Sequence, residues 1–270
     1  MKTLKLIALL MISMVLCQPL MAQTGKGQLV VPLSSPGKPF TLSVNFLSGS
    51  IDVTAYDGND IVIDFSSDEA KPKPTANAGG MRVIGGGSTS VTAVEKDNKV
   101  TVNGDVFTKS SNVKIKVPRG TNTFKLTTVN SRSITATDIG GEIEVSNTNG
   151  GIKLTNVSGS VVANSTNGDV IVVFKSVDAK APMAFSTLNG RVDVTVPATV
   201  KANIKLHTDR GEIYSDFDVA VEPSTPTTTR GKDGSYHYSD QEWVTGKLNG
   251  GGPELMMRTF NGNLYIRKAK

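Results

Sequence analysis

The sequence predicts an all-β protein made of stacked strand-and-turn units. Glycines recur every nine residues at positions 141, 150, 159 and 168. The seventh and fifth positions before the last three of these glycines hold apolar pairs, which are Ile143 and Val145, Ile152 and Leu154, and Val161 and Ala163. Residues two apart lie on the same face of a strand. Repetition at a fixed period favours stacked repeats over a globular sandwich.

The spacing of the turns sets the predicted size of one coil. Asn, Ser or Thr residues precede the turn glycines, and residues of these types suit sharp turns. After Gly168 the next turn glycines are Gly190 and Gly211, at intervals of 22 and 21 residues, and each longer interval contains two strands. We therefore predict a β-solenoid with coils of about 18 to 22 residues, in which nine residues form half a coil.

The first 22 residues have the features of a secretory signal peptide. Lys2 and Lys5 precede an apolar run from Leu6 to Leu16, and the small residue Ala22 offers a cleavage site. Cys17 is the only cysteine, and bulky Leu16 before it favours simple cleavage over lipidation. No later stretch approaches the roughly 20 apolar residues that span a bilayer. We expect an exported protein without an integral membrane segment, which is periplasmic, associated with the outer membrane or extracellular.

Residues 23–270 are predicted to form a single β-solenoid domain. The apolar pair precedes glycines from Leu42 and Val44 ahead of Gly49 to Leu255 and Met257 ahead of Gly262. Two stretches break this register, near 69–90 and 219–254, and we predict that both are loop insertions. Asparagines fall at or near the predicted turns, where stacked amides would hydrogen-bond to one another; these are Asn147, Asn149, Asn164, Asn167 and Asn189.

The charge balance gives only a weak indication of partners. Without residues 1–22 the chain has 27 basic and 24 acidic residues. Lysines alternate with apolar residues in 113–117, which is typical of a strand with one solvated face rather than of a nucleic-acid patch. Together with the expected export, this pattern argues against a nucleic-acid partner.

Two stretches have a distinctive strand-and-turn sequence: the segment from Pro36 to Val53, and Val117-Pro-Arg-Gly120 followed by repeated Asn-Gly turns. They resemble a bacterial putative-adhesin domain family of unknown function. The resemblance covers most of residues 28–216 and the final coil. It implies an exported or envelope-associated protein whose fold is a single-stranded, right-handed parallel β-helix. The adhesin label transfers as an expectation of surface recognition, without a defined ligand.

An enzyme on such a scaffold would act on polysaccharide with carboxylates grouped on an outer face. The candidate acids of this lyase or hydrolase are Asp169, Asp193, Asp209, Glu212, Asp216 and Asp218, with His207 close by. Polar positions of strands and turns often hold acids, so we favour a structural role for them and assign no catalytic residue.

Metal and cofactor sites are not predicted. His207 and His237 are the only histidines, which makes a zinc site improbable. The nine-residue period is that of calcium-binding β-roll repeats, but the turn at 146–151 lacks their acidic ligands. The triple glycines at 85–87 and 250–252 lack the Lys-Ser/Thr of a phosphate loop.

An aromatic cluster in the second insertion is the candidate binding site. Tyr236 and Tyr238 alternate along one predicted strand face, and Trp243 follows. Rigid aromatic rings are efficient contacts for sugars or proteins, although the same rings would also suit a small local core. We therefore predict a non-enzymatic, adhesin-like envelope scaffold whose partner is a cell-surface glycan or an envelope protein; the alternative is the polysaccharide-acting enzyme.

Overall fold

The computed structural model describes residues 26–67, 90–104, 111–222, 227–239 and 243–270. The predicted signal peptide, 1–22, and almost all of the predicted insertion near 69–90 lie outside the described residues. Every regular element in the described part of the chain is a strand. The prediction of an all-β protein is therefore confirmed.

The main sheet has 18 strands, and backbone pairing arranges them in two stacks that share one hydrophobic core. The first stack contains β2 (Thr41–Ser48), β5 (Val91–Lys96), β6 (Lys99–Gly104), β11 (Met183–Asn189), β13 (Ala202–Arg210), β15 (Ala220–Glu222), β18 (Val244–Leu248) and β19 (Glu254–Asn261). The second stack contains β1 (Lys26–Val31), β3 (Ile51–Tyr56), β4 (Ile61–Ser67), β7 (Ser111–Pro118), β10 (Val170–Val177), β12 (Val192–Val196), β14 (Ile213–Ser215) and β20 (Leu264–Lys268). The long strands β8 (Thr121–Thr137) and β9 (Gly140–Asn167) bend and contribute to both stacks.

The apolar pairs that precede the glycines form the core, as predicted. Side chains alternate between buried and partly exposed along the strands, as the burial of β3 and the first part of β11 illustrates. All the predicted core pairs have 4% or less of their surface exposed; they are Leu42 and Val44, Ile143 and Val145, Ile152 and Leu154, Val161 and Ala163, Met183 and Phe185, Ile204 and Leu206, and Leu255 and Met257. The strand period thus fixes which face of each coil is buried.

Successive coils in the middle of the chain pair in parallel. Ile152 pairs with Ile134 on one side and with Val170 on the other, and Val170 pairs in turn with Val192. Neighbouring coils are therefore offset by 18 residues, and then by 22. These offsets agree with the predicted coil length.

The two terminal coils do not lie at the ends of the stack. β2 pairs in parallel with both β6 and β8, so the first coil lies between segments that follow it in sequence. β19 pairs with both β11 and β13, and β20 pairs with both β12 and β14. The last coil therefore fills a slot between two earlier coils, an order that a uniform repeat pattern does not reveal.

Antiparallel strands flank the parallel coils and make the sheet mixed. At one end, β5 pairs antiparallel with β6, and β4 lies between β7 and β1. At the other end, β18 lies antiparallel between β13 and β15. The strands β15 and β18 lie within the predicted insertion 219–254, which therefore contributes to the main sheet. A separate hairpin of β16 (Thr227–Arg230) and β17 (Tyr236–Ser239) belongs to the same insertion.

A ladder of asparagines runs along one corner of the molecule. The side-chain Nδ2 of each asparagine donates to Oδ1 of the next at 2.8 to 2.9 Å, in the order Asn261, Asn189, Asn167, Asn149 and Asn130. The prediction of stacked amides is confirmed for Asn149, Asn167 and Asn189. Asn147 instead donates to the Gly151 carbonyl, and Asn164 accepts a hydrogen bond from Ser186.

Glycines allow the coils to approach closely at this corner. Gly190 has φ of 148°, and a Cβ there would collide with the Gly168 carbonyl in the adjacent coil. Hydroxyl groups add a second ladder beside it, because Thr187 donates to the Gly168 carbonyl and Thr259 to the Gly190 carbonyl, each at 2.9 Å. The corner is thus tied by side chains as well as by backbone hydrogen bonds.

Candidate recognition surface

Trp243 lies against the outer face of the first stack. The antiparallel register of β13 and β18 pairs Leu206 with Val244, which puts Trp243 next to His207. The centroids of the Trp243 and His207 rings are 5.0 Å apart, and the ring planes are inclined by 34°. Lys205 Nζ is 4.8 Å from the centroid of the Trp243 ring, within the range of a cation–π contact. The sheet therefore positions this half-buried indole through contacts with β13.

His207 is held in place by its neighbours. Its exposure is only 9%, and its Nε2 lies 3.3 Å from Oδ2 of Asp209. Nδ1 of the same ring is buried and has no hydrogen-bond partner among the described residues. The imidazole thus supports one side of Trp243, while Asp209 fixes its orientation.

Cations surround this aromatic contact. The parallel register of β13 and β19 puts Arg258 beside His207, and Arg258 is exposed, without an ion-pair partner in the described part of the chain. The guanidinium carbon of Arg210 lies 5.3 Å from the centroid of the Phe260 ring. We call Lys205, His207, Arg210, Trp243, Arg258 and Phe260 the cationic-aromatic patch. The patch combines positive charge with aromatic surface on a sheet face whose strands are already paired on both sides.

The other predicted aromatic residues lie on the separate hairpin. Tyr236 on β17 is 70% exposed, and the guanidinium carbon of Arg230 is 5.4 Å from its ring centroid. Tyr238 pairs with Thr228 through the backbone, and its side chain is outside the described part of the structure. The described contacts link Tyr236 to Arg230 and Trp243 to His207, and they do not join the predicted residues into one cluster.

The acids predicted for an enzyme are divided between the two stacks. Asp209 is on β13 in the first stack, whereas Asp193 is on β12 in the second. Asp193 Oδ1 accepts a hydrogen bond from Arg267 Nε at 2.8 Å. Asp169 accepts one from the backbone N of Arg191 at 3.0 Å and forms an ion pair with its side chain. Each of these carboxylates therefore already has a neighbouring donor.

The remaining predicted acids lie around β14 at the end of the second stack. Glu212 accepts a hydrogen bond from the Tyr214 hydroxyl, and Asp216 Oδ2 accepts one from the backbone N of Lys268 at 3.2 Å. Asp218 is exposed beyond β14. The candidate acids do not converge on one cleft.

A second aromatic array, which the sequence did not lead us to predict, lies on the outer face of the second stack. Tyr214 and Tyr265 stack with centroids 5.0 Å apart and an interplanar angle of 7°, and Arg267 covers Tyr265 with its guanidinium carbon 4.8 Å from the ring centroid. Tyr214 and Tyr265 each follow a turn glycine, Gly211 or Gly262, by three residues. This equal spacing from a turn glycine is the signal of the tyrosine pair in the sequence. It becomes informative only once β14 and β20 are known to be neighbours.

Hydrogen bonds raise two pKa values in this second array. The hydrogen bond to Glu212 raises the pKa of the Tyr214 hydroxyl. The hydrogen bond from Arg267 to Asp193 raises the pKa of the Arg267 guanidinium. Both shifts favour the protonated forms that tyrosine and arginine already have near neutral pH, so neither group is suited to proton transfer there.

An open groove lies at a different corner of the coils. It has a volume of about 740 Å³ and is lined by charged residues of both signs, among them Arg119, Asp138, Lys175 and Asp178. Asp138 accepts a hydrogen bond from Asn156, and both residues have positive φ, at 59° and 57°. Because its charges are mixed, the groove has no evident preference for an anion or a cation.

Metal-binding groups are not assembled in the described ranges, where no set of three or more His, Cys, Asp or Glu residues could hold an ion. The described part of the chain also contains no helix of the length and apolarity that a membrane crossing requires.

The fold defines a class of all-β proteins in which parallel coils are flanked by antiparallel strands. The family model of Toastrack DUF4097 matches residues 28–239, and the chain belongs to this family. This finding confirms the resemblance to a putative-adhesin family of unknown function. No curated protein matches the sequence.

Two solved structures are similar to this chain. A putative cell adhesion protein from Clostridium sporogenes ATCC 15579 has 12% sequence identity and a TM-score of 0.50, and the match covers 92% of this chain and 100% of that one. A putative adhesin from Bacteroides fragilis NCTC 9343 has 11% identity and a TM-score of 0.37, with coverage of 92% and 98%. At 12% identity, the likeness to the Clostridium protein concerns the fold alone.

Proposed function

We propose that this chain is an exported, non-enzymatic recognition protein of the bacterial envelope. In this proposal residues 23–270 form one domain, a single-stranded, right-handed parallel β-helix with insertions near 69–90 and 219–254. The helix acts as a rigid platform that presents binding residues to a cell-surface glycan or an envelope protein. Residues 1–22 direct export and are removed after Ala22.

One observation carries the proposal: the outer face of the first stack presents cations and aromatic rings, whereas the candidate acids are divided between the two stacks and Asp209, the one beside the patch, is paired with His207. Asp193 is bonded to Arg267 and Asp169 to Arg191, but Arg258 is exposed and without an ion pair among the described residues. A glycan-cleaving site needs two carboxyl groups facing one substrate. A surface with available cations and aromatic rings is better suited to binding.

The ladders support the role of a rigid platform. Each of the three inner asparagines of the ladder donates to one neighbour and accepts from another, so ordering one side chain orders the next. Residues held by packing and hydrogen bonds lose little conformational freedom on binding, which favours affinity. All members of the patch except Trp243 lie on β13 and β19, the strands whose corner is tied by Thr208 and Thr259.

Export can be tested on the full-length chain in a Gram-negative bacterial host. We expect the recovered protein to begin at Gln23, and to be found in the periplasm or the medium. A matched variant with Leu9→Asp and Leu10→Asp, which interrupts the apolar run, should remain unprocessed in the cytoplasm. Recovery of the unaltered, uncleaved chain in the cytoplasm would contradict the proposal.

Recognition can be tested on the processed protein recovered from that experiment. Immobilised protein is exposed to envelope polysaccharides and envelope protein extracts, and the same mixtures are assayed for new reducing ends or unsaturated sugars. We expect retention of envelope material without product. Product formation that disappears in Asp209→Asn would establish the enzymatic alternative instead.

A further inference from the structure

We propose that the cationic-aromatic patch binds an anionic glycan, specifically a polysaccharide whose sugars carry carboxylates. This inference rests on the proposed recognition function and adds to it a site and a ligand class. The sugar rings would lie along the outer face of β13 and β19, with Trp243 and Phe260 against their C–H faces and with Arg258, Lys205 and Arg210 on their carboxylates.

The charge pattern of the patch favours an anion. Lys205 and Arg210 lie on β13, and Arg258 lies beside His207 on β19. Among the described residues, the carboxylate paired with a member of the patch is Asp209, which lies 3.3 Å from His207. Arg258 can form a bidentate pair with an incoming carboxylate because no described residue competes for its guanidinium.

The aromatic part of the patch favours a sugar over a simple anion. Trp243 is backed on one side by His207, which keeps the indole in a fixed orientation on the sheet. Phe260 is half-buried, with Arg210 over its ring, and the register places it next to Leu188, which is 46% exposed. Apolar and aromatic surface next to cations matches a ring with one apolar face and a charged substituent.

The location of the patch favours a glycan over an acidic peptide. Extended peptides commonly bind by adding a strand to a free sheet edge. β13 is paired with β18 and β19, and β19 is paired with β11 and β13, so the backbone groups beneath the patch are already used. A ligand on this face must be recognised through side chains alone.

The repeat of the sheet gives a reason for a polymeric ligand. Parallel strands bring equivalent side chains to intervals of about 4.8 Å across the stack. Arg258 and His207 are neighbours at this interval, and Lys205 and Arg210 extend the positive charge along β13. A polysaccharide with recurring carboxylates would contact several of these groups at once, and binding at several points raises its overall affinity.

The test compares binding of the processed protein to polygalacturonate and to fully methyl-esterified polygalacturonate, which has the same backbone without charge. We expect the protein to bind the polyuronate and not the ester, with weaker binding as salt increases. Arg258→Gln should weaken binding by about tenfold or more, the usual cost of one charge-assisted hydrogen bond. The control Lys153→Gln removes one exposed positive charge from the second stack and should bind as the unaltered protein does.

Two further measurements make the result decisive. Trp243→Leu should weaken binding without changing its salt dependence, and circular dichroism should confirm that the variant is folded. Polyglutamate, an acidic peptide of similar charge, should bind at least about tenfold more weakly than the polyuronate, because it lacks a ring to place on Trp243.

The inference is overturned if polygalacturonate does not bind, if polyglutamate binds equally well, or if Arg258→Gln and Lys153→Gln behave alike. In each of these cases retention of envelope material by the processed protein would still support the proposed recognition function. Cleavage of polygalacturonate, with loss of binding in Arg258→Gln, would keep the site and overturn the non-enzymatic role.

Discussion

Asn167 donates its side-chain amide to Asn149 and accepts a hydrogen bond from Asn189, at 2.9 and 2.8 Å. It is the middle member of the asparagine ladder, and its two partners are 18 residues before it and 22 residues after it. Side chains distant in sequence are therefore linked into a continuous line along one corner of the stack.

The first prediction concerns this ladder. Asn167→Ala removes two hydrogen bonds from a solvent-exposed corner, and we expect it to lower the free energy of unfolding by about 1 to 2 kcal/mol. Urea denaturation measures the change. Thr148→Ala, at an exposed position of β9 outside the ladder, serves as the control and should change stability by less than about 0.5 kcal/mol. Equal effects of the two variants would mean that the ladder adds nothing to stability.

The second prediction concerns the close approach of glycines. Gly190→Ala places a methyl group against the Gly168 carbonyl and requires alanine to adopt φ of 148°. We expect a loss of about 3 kcal/mol or more, because strain and overpacking act together. Gly37→Ala is the informative comparison, since Gly37 also has positive φ, 78°, but has no atom within 4 Å of the added Cβ. In thermal denaturation, Gly190→Ala should have a much lower Tm than Gly37→Ala. A higher Tm for Gly190→Ala would rule out the collision.

The third prediction follows from the position of the last coil. Ending the chain after Leu248 removes β19 and β20, and with them the buried side chains of Leu255, Met257, Leu264 and Ile266. The strands on both sides lose their common neighbour, so we expect the truncated chain to be degraded by low concentrations of protease. Removal of Lys270 alone should have no such effect.

Addition of a peptide corresponding to residues 253–268 provides a further check on the truncated chain. If the slot between the flanking coils persists, the peptide should restore protease resistance. A truncated chain that is as resistant as the full one would show that the last coil is dispensable.

The fourth prediction concerns acid stability. The Glu95 carboxylate accepts hydrogen bonds from the Ser34 hydroxyl and backbone N and from the Asn98 backbone N, and these bonds hold its pKa below the ordinary value for glutamate. Because the folded-state pKa is lowered, the stabilisation is fully present above the pKa of the unfolded chain. It is lost as pH falls through the lower, folded-state value.

Urea denaturation between about pH 3 and pH 6 tests this expectation. Glu95→Gln should reduce the loss of stability on acidification relative to the unaltered protein. Glu142→Gln, which changes an exposed glutamate on β9, serves as the matched comparison variant. If the free energy of unfolding falls equally with decreasing pH in Glu95→Gln and in the unaltered protein, the role of the Ser34 contacts is contradicted.

Much of the fold was predictable because strand period and turn chemistry are local. The pair Ile143 and Val145 must point to one side of a strand, and the same spacing correctly identified Leu255 and Met257 more than a hundred residues later. The ladder positions Asn149, Asn167 and Asn189 followed from their place just before turn glycines. Asn147 was also included, but it lies two residues earlier, where the side chain points into the corner.

The order of the coils was not predictable, because each coil has the same kind of apolar pair. Nothing in the sequence pattern shows that β11 pairs with β19 rather than with β13. For the same reason the contact of His207 with Trp243 could not be inferred, since it depends on β18 pairing antiparallel with β13. The sequence identified Trp243 as a candidate contact but grouped it with Tyr236 and Tyr238, its neighbours along the chain.

The slot that holds β19 and β20 has a consequence for how such a protein changes in evolution. A solenoid whose last coil is at its end can gain length by duplication of terminal repeats. Here both terminal coils are enclosed by other coils, so a repeat added beside either of them has no free coil to stack on. We expect relatives of different length to have gained or lost coils in the middle of the chain, between Gly141 and Gly190, while the number of coils around each terminus stays constant.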